Sequence, residues 1–184
     1  MHIPNFLTIL RLFFPLFIGV LCYFKLDISL EKLIVLVLFI LFSFTDYLDG
    51  FLARKLNQES VFGKVFDPIS DKILTSTSLI YIITFENTIL IPSLLIITRE
   101  FIVSGTREYM LKKNGKAIDV TFLSKIKTML QFISICLFLA QDFLINYLNI
   151  FNIAYISLWI ATILTIYTGS KYIYMTYIYN KKRK

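Results

Sequence analysis

Asp46-Tyr47-Leu48-Asp49-Gly50-Phe51-Leu52-Ala53-Arg54 closes an apolar run that starts at Leu33, and this junction of hydrocarbon and charge decides the fold. The run from Leu33 to Leu52 is long enough to cross a bilayer, which takes about 20 helical residues. After Arg54 come eight residues, then Gly63, and Asp67 and Asp71 follow at four-residue steps. Carboxylates at or near membrane depth cost about 2.5 to 3.5 kcal/mol each on insertion scales. Four of them, Asp46, Asp49, Asp67 and Asp71, call for a compensating positive charge, for which a bound metal ion is the natural candidate.

The rest of the chain has the same apolar character. Of its 184 residues 57% are hydrophobic and 17% charged, and the mean hydropathy is +0.73. A soluble domain of this size has no interior large enough for so much apolar surface, so the bilayer must act as solvent. Apolar runs extend roughly over Leu7–Phe24, Leu33–Leu52, Ile73–Ile83, Ile89–Tyr109, Met129–Leu148 and Ile153–Tyr174, the third being short. The expected architecture is therefore an all-α integral membrane protein of about six transmembrane helices, forming a single domain over residues 1–184, because the loops are too short for another.

Lys and Arg are unevenly placed, which sets orientation. Arg54, Lys55, Lys64 and Lys72 flank the second connection. Lys112, Lys113, Lys116, Lys125 and Lys127 flank the fourth, and Lys181-Lys182-Arg183-Lys184 ends the chain. The alternate loops hold only Lys25 and Lys32, then Glu86, then Asp142. Six spans with both termini in the cytoplasm satisfy every loop, and Tyr172, Tyr174, Tyr177 and Tyr179 read as an interfacial aromatic belt. The net charge of +7 hugs membrane-proximal loops instead of forming one soluble patch. It favours anionic lipid or phosphorylated substrates over nucleic acid as partners. Cys22 and Cys136 lie in apolar runs without ligand or disulfide spacing and read as packing residues. His2 is expected to be solvated. The first run contains Arg11 and Pro15 and lacks a small-residue cleavage site, so it is expected to remain as a membrane helix. With no Arg- and Ser-rich transit segment ahead of it, a bacterial inner membrane is the expected location.

On a helix of 3.6 residues per turn, Asp46, Asp49, Gly50, Ala53 and Arg54 share one face, and Gly63, Asp67 and Asp71 share another. Two helices joined by a turn can thus oppose two carboxylates with two more. Such hard oxygen donors suit Mg²⁺, Mn²⁺ or Ca²⁺. Small residues at Gly50 and Ala53 leave room for something bulky; their bland alternative is close helix packing, as at membrane dimer interfaces. Arg54 reads equally as a snorkelling anchor. Pro68 marks a helix start or a kink.

These residues resemble the signature of the CDP-alcohol phosphatidyltransferase family, D-x-x-D-G-x-x-A-R-x8-G-x3-D-x3-D, with every fixed position present. The resemblance implies that Asp46, Asp49 and Asp67 bind a divalent metal, Mg²⁺ or Mn²⁺, and the diphosphate of a CDP-linked lipid. It implies that Asp71 is the general base or a fourth ligand, and that Gly50, Ala53, Arg54 and Gly63 shape the nucleotide pocket. It also implies a homodimer. The chemistry is consistent, since metal ions neutralise a diphosphate and stabilise departing CMP, and a carboxylate beside a hydroxyl can take its proton.

Flanking segments resemble the phosphatidylglycerophosphate synthase branch of that family. Asn5, Leu7, Thr8 and Arg11 match an N-x-L-T-x-x-R opening. Arg99-Glu100, Ser104 and Arg107-Glu108 match R-E-x-x-x-S-x-x-R-E. Lys125, Lys127, Thr128 and Gln131 match G-K-x-K-T-x-x-Q, except that Ser124 stands where Gly is common. The resemblance covers most of residues 3–131, and the last two spans add little beyond hydrophobicity. Arg99, Val103 and Arg107 lie on one helical face, and Lys125 and Lys127 open the next span. A phosphate on the acceptor needs such cations, Arg as a fork and Lys as a point charge. Positive-inside anchoring is the alternative for them and accounts for Lys112, Lys113 and Lys116. Asn5, Thr8 and Arg11 recur at three-residue steps and offer polar groups from the first helix, or else a cap and an anchor.

The expectation is an enzyme that transfers a phosphatidyl group from CDP-diacylglycerol to sn-glycerol 3-phosphate at the cytoplasmic face, releasing CMP. Its nearest rival is a related transferase acting on phosphatidylglycerol, serine or an inositol phosphate. A cation transporter would spread its acids through the membrane depth, and a lipid-organising protein leaves four aligned acids unexplained.

Overall fold

The computed structural model describes residues 3–24, 26–55, 61–114, 122–144 and 149–181. Within these, the side chains of 3–6, 46–55, 61, 62, 64, 65, 113, 114, 180 and 181 are outside the description. The described residues form seven α-helices: α1 (Ile3–Leu12), α2 (Phe14–Phe24), α3 (Ile28–Lys55), α4 (Val61–Ile83), α5 (Leu90–Asn114), α6 (Phe122–Leu144) and α7 (Ile150–Lys181). A 3₁₀ turn at Asn87–Ile89 leads into α5. No strand occurs among the described residues.

Four helices are long and apolar enough to cross a membrane, over Ile28–Thr45, Asn87–Lys112, Phe122–Leu144 and Ile150–Tyr179. The two remaining expected spans depart from that pattern for physical reasons. The first breaks into α1 and α2 at Phe13, because Pro15 has no N–H to give and its ring crowds the carbonyl of Arg11. The chain instead bonds Phe13 N to Leu10 O at 3.2 Å and restarts with Leu16 N to Phe13 O at 2.9 Å, with Pro15 tolerated in the first turn of α2. The third expected span falls in a helix that is longer than its apolar run. α4 has 23 residues, about 35 Å at 1.5 Å per residue, and its first half carries Asp67, Asp71 and Lys72 within the helix. Pro68 lies inside α4, so it neither starts the helix nor ends it; it withdraws one backbone bond while Ser70 Oγ donates back to Asp67 O at 2.9 Å.

The chain forms two compact units, one of Met1–Phe85 with Ile135–Ile150, the other of Glu86–Ser134 with Phe151–Lys184. In the first, α1 packs on α4 and α3, and α2 packs on α3 and α4. Its interior is built from large side chains, with Phe14, Val35, Phe39 and Ile82 fully buried and the Phe14 and Phe42 rings edge to face at 5.7 Å. At one end, buried Lys32 donates to both oxygens of Asp142, at 3.1 and 2.9 Å, and lies 4.2 Å from the centre of the Phe85 ring. Ser29 Oγ adds a bond to Asp142 at 3.2 Å. Two charges that the sequence places in separate loops thereby neutralise each other.

The second unit has a different interior. Ala154, Leu158 and Ala161 are fully buried there beside Ser134, Ser157, Thr162 and Thr165. Ser134 Oγ donates to Ala154 O at 2.7 Å, and Gln131 Nε2 donates to Thr165 Oγ1 at 3.2 Å. Thr162 bonds back to Leu158 O at 2.8 Å, the usual way a helix hides a hydroxyl. The last two helices therefore carry a polar seam as well as hydrophobicity. Tyr174, Tyr177 and Tyr179 are exposed near the end of α7, as an aromatic belt requires, while Tyr172 is half-buried. Both cysteines are free, and Cys22 is exposed instead of packed.

Candidate functional site

The described part of the acidic site is built on α4 and backed by α1. The backbone of α3 stays helical through Asp46, Asp49, Gly50, Ala53 and Arg54, but their side chains lie outside the described residues, as does that of Asn5. Gly63 is in the first turn of α4, half-buried, with Asp67 and Asp71 one and two turns further on. Thr8 Oγ1 donates to Asp67 Oδ1 at 2.8 Å. One turn along, Arg11 Nη1 lies 3.9 Å from Asp71 Oδ1, the Arg11 side chain being fully buried and that of Asp71 54% exposed. The three-residue step between Thr8 and Arg11 thus meets the four-residue step between Asp67 and Asp71, as two packed helices permit. A buried guanidinium is costly unless paired, and Asp71 is a partner within reach.

The donor set is one of hard oxygens, the kind a divalent cation such as Mg²⁺ takes. Among the described residues no three His, Cys, Asp or Glu side chains cluster to hold a metal; Asp67 and Asp71 are the two described members of the quartet. Both offer only carboxylate oxygens, and the Thr8 hydroxyl fixes one oxygen of Asp67 as an outer-shell partner does for a ligand. A set of four aspartates fits Mg²⁺ or Mn²⁺ and does not suit a thiophilic ion.

The second unit holds the basic residues. Arg99 Nη1 donates to Glu100 Oε1 at 3.0 Å and Nη2 donates to Thr168 Oγ1 at 2.9 Å. Lys127 Nζ donates to the same Glu100 oxygen. Arg99, Glu100 and Lys127 expose only 12%, 19% and 6% of their side chains, so the trio is largely desolvated. Arg107 and Lys125 are exposed, and no described contact joins them to that trio. Of the four expected phosphate ligands, then, two are gathered on one carboxylate. Glu100 enters the sequence reading only as part of the R-E segment, without a role, and Thr168 and Gly169 belong to no motif there. An acid within the apolar α5 was a signal for Glu100, and the three-residue steps Thr162, Thr165 and Thr168 were one for the α7 seam.

Compared with known proteins, residues 1–167 match CDP-alcohol phosphatidyltransferase. The chain belongs to the CDP-alcohol phosphatidyltransferase family. It is 41% identical to a CDP-diacylglycerol–glycerol-3-phosphate 3-phosphatidyltransferase of Rickettsia felis, covering 93% of each chain. A protein of the same name from Wigglesworthia glossinidia brevipalpis is 40% identical, covering 96% of each. The Bacillus subtilis protein of that name is 33% identical, covering 93% of each. Thr168 and Gly169 fall just past the matched family segment.

Proposed function

We propose that this membrane-embedded phosphatidyltransferase moves the phosphatidyl group of CDP-diacylglycerol to sn-glycerol 3-phosphate, forming phosphatidylglycerophosphate and CMP in phospholipid synthesis. The observation that carries the reading is near end-to-end similarity to relatives named for that reaction, with all eight signature positions intact. The primary hydroxyl of the acceptor attacks the phosphatidyl phosphorus. The bond from that phosphorus to the oxygen bridging it to CMP breaks, and CMP leaves with the electron pair.

In this reading Asp46, Asp49, Asp67 and Asp71 hold Mg²⁺ or Mn²⁺, which supplies charge neutralisation on the diphosphate. Asp71, the exposed carboxylate, accepts the hydroxyl proton. Thr8 holds Asp67 in one orientation, and Arg11 places positive charge beside Asp71. Gly50, Ala53, Arg54 and Gly63 shape the nucleotide pocket. Arg99 and Lys127 bind the acceptor phosphate, with Arg107 and Lys125 attracting it from the exposed surface. A charge-assisted fork on a phosphate is among the stronger polar contacts.

The same reading places α1 and α2 together as one span and α4 as another, giving six, in a single functional domain over residues 1–184. Both termini and the reaction centre face the cytoplasm of a bacterial inner membrane, supported by the Lys and Arg distribution. A homodimer is part of the proposal, drawn from the family. The test is an acceptor competition with purified protein, CDP-diacylglycerol and Mg²⁺. Glycerol 3-phosphate should outcompete serine, an inositol phosphate and phosphatidylglycerol; preferential labelling of any of those three would sink the acceptor assignment.

A further inference from the structure

Arg99 lies across α7 at the one position where α7 has no side chain to obstruct it. A Cβ built on Gly169 would fall 2.6 Å from Arg99 Nε, 2.9 Å from Cγ and 3.3 Å from Cδ, whereas one on Gly19 or Gly105 would meet nothing within 4 Å. Contacts under about 3 Å lie well inside the optimum for carbon pairs, near 3.5 to 4.0 Å, so an alanine at 169 forces the arginine to move. A free arginine would swing aside at little cost. This one is tied at its far end, because Nη1 donates to Glu100 Oε1 at 3.0 Å and Nη2 donates to Thr168 Oγ1 at 2.9 Å.

Each anchor is itself held. Glu100 also accepts from Lys127 Nζ, which brings in α6. The Thr168 hydroxyl donates to Leu164 O at 2.8 Å, turning a lone pair toward the guanidinium. Nε is buried and has no hydrogen-bond partner among the described residues, and Nη1 and Nη2 each keep a second hydrogen for another acceptor. The fork is therefore fixed in place while part of its donor capacity stays uncommitted. That combination suits a pre-organised anion ligand, and a helix interior otherwise disfavours glycine.

We propose that Gly169 is a positioning residue for acceptor binding: its missing side chain lets Arg99 lie across α7 with its guanidinium locked between Glu100 and Thr168. The proposal rests on the reading of Arg99 as a ligand of the acceptor phosphate. Displacing the Arg99 stem would break at least one charge-assisted bond and misalign the fork, without touching the aspartate site that takes the CDP-lipid.

The test is steady-state kinetics with both substrates varied, for wild type, Gly169→Ala, Arg99→Ala and the double variant in lipid vesicles. Gly169→Ala should raise KM for glycerol 3-phosphate roughly tenfold, as expected when a charge-assisted hydrogen bond is lost, and leave KM for CDP-diacylglycerol unchanged. Arg99→Ala should raise the same KM at least as far, and the double variant should match Arg99→Ala alone, since the clash needs the arginine. A normal KM for glycerol 3-phosphate in Gly169→Ala, an equal rise for both substrates, or additive effects would overturn the proposal. If Arg99→Ala moves the acceptor KM and Gly169→Ala does not, the proposal falls alone; if Arg99→Ala does not move it, the acceptor reading falls too. Should Gly169→Ala fail to fold, recovery of folded protein in the Arg99→Ala background supports the proposal, and failure in both backgrounds contradicts it.

Discussion

The two units place opposite charge in different kinds of interior. The first is filled by rings and branched chains, Phe14, Val35, Phe39 and Ile82, and carries its acids on α3 and α4 with Arg11 and Thr8 behind Asp67 and Asp71. The second buries aliphatic chains such as Ile89 and Leu158 without a ring among its described buried side chains, adds alanines, serines and threonines, and gathers Arg99 and Lys127 on Glu100. Lipid tails are as apolar as leucine, so helices in a bilayer gain little from hydrophobicity alone and rely on packing and interhelical bonds. Interlocking rings meet that need in one unit. Small residues with hydroxyls bonded to neighbouring carbonyls meet it in the other. In the proposed function the difference also has a chemical side: the acids assigned to metal and diphosphate stand in one unit, and the arginine fork assigned to the acceptor phosphate stands in the other.

The contrast can be broken most severely at the acids. Asp67→Ala should lower turnover at least 10³-fold, about 4 kcal/mol of transition-state stabilisation, in a protein that still folds; a near-normal rate would refute the metal-site account. Chelation by EDTA should abolish activity in the wild type, and added Mg²⁺ should restore it. A second break lies at the opposite end of the first unit. Lys32→Met leaves Asp142 with Ser29 but without its cation, and thermal or denaturant unfolding should report a loss of about 2 kcal/mol, less than the 3 to 5 kcal/mol of a fully buried pair because Asp142 is partly wet. Kinetic constants of the folded fraction should not change.

Subtler changes sharpen the comparison. Thr8→Val removes the bond to Asp67 and should raise the Mg²⁺ concentration needed for half-maximal rate by about tenfold, the lower end for loss of an outer-shell partner. An unchanged Mg²⁺ requirement would leave Thr8 as packing only. In the second unit Thr165→Val removes the acceptor of Gln131 and should cost only about 0.6 kcal/mol, typical of an interhelical bond within a membrane. A loss above that of Lys32→Met would mean that one hydroxyl bond of the seam carries more stability than the Lys32–Asp142 ion pair of the first unit.

Much of this was readable from the chain. The spacing of the aspartates is legible because a helix turns the same way whatever surrounds it, and for Asp67 and Asp71 it puts both on the side of α4 that meets Thr8 and Arg11. Thr8 and Arg11 stand out by the N-x-L-T-x-x-R resemblance and their three-residue step, and Arg99 because a cation inside an apolar run needs a reason. The break at Phe13 was missed as hydropathy is blind to a missing N–H, although Pro15 was in view. The early start of α4 was missed because Asp67, Asp71 and Lys72 mask an amphipathic helix in a search for apolar runs. Lys32 with Asp142, and Arg99 with Thr168 and Gly169, are tertiary contacts between residues far apart in the chain. No local periodicity encodes them.

The division of labour is tested most directly by equilibrium binding to the inactive Asp67→Ala protein in lipid vesicles with Mg²⁺ present. The account predicts that CDP-diacylglycerol binding weakens severely while glycerol 3-phosphate binds as it does to wild type. Equal loss of both ligands, or loss of glycerol 3-phosphate alone, would contradict it.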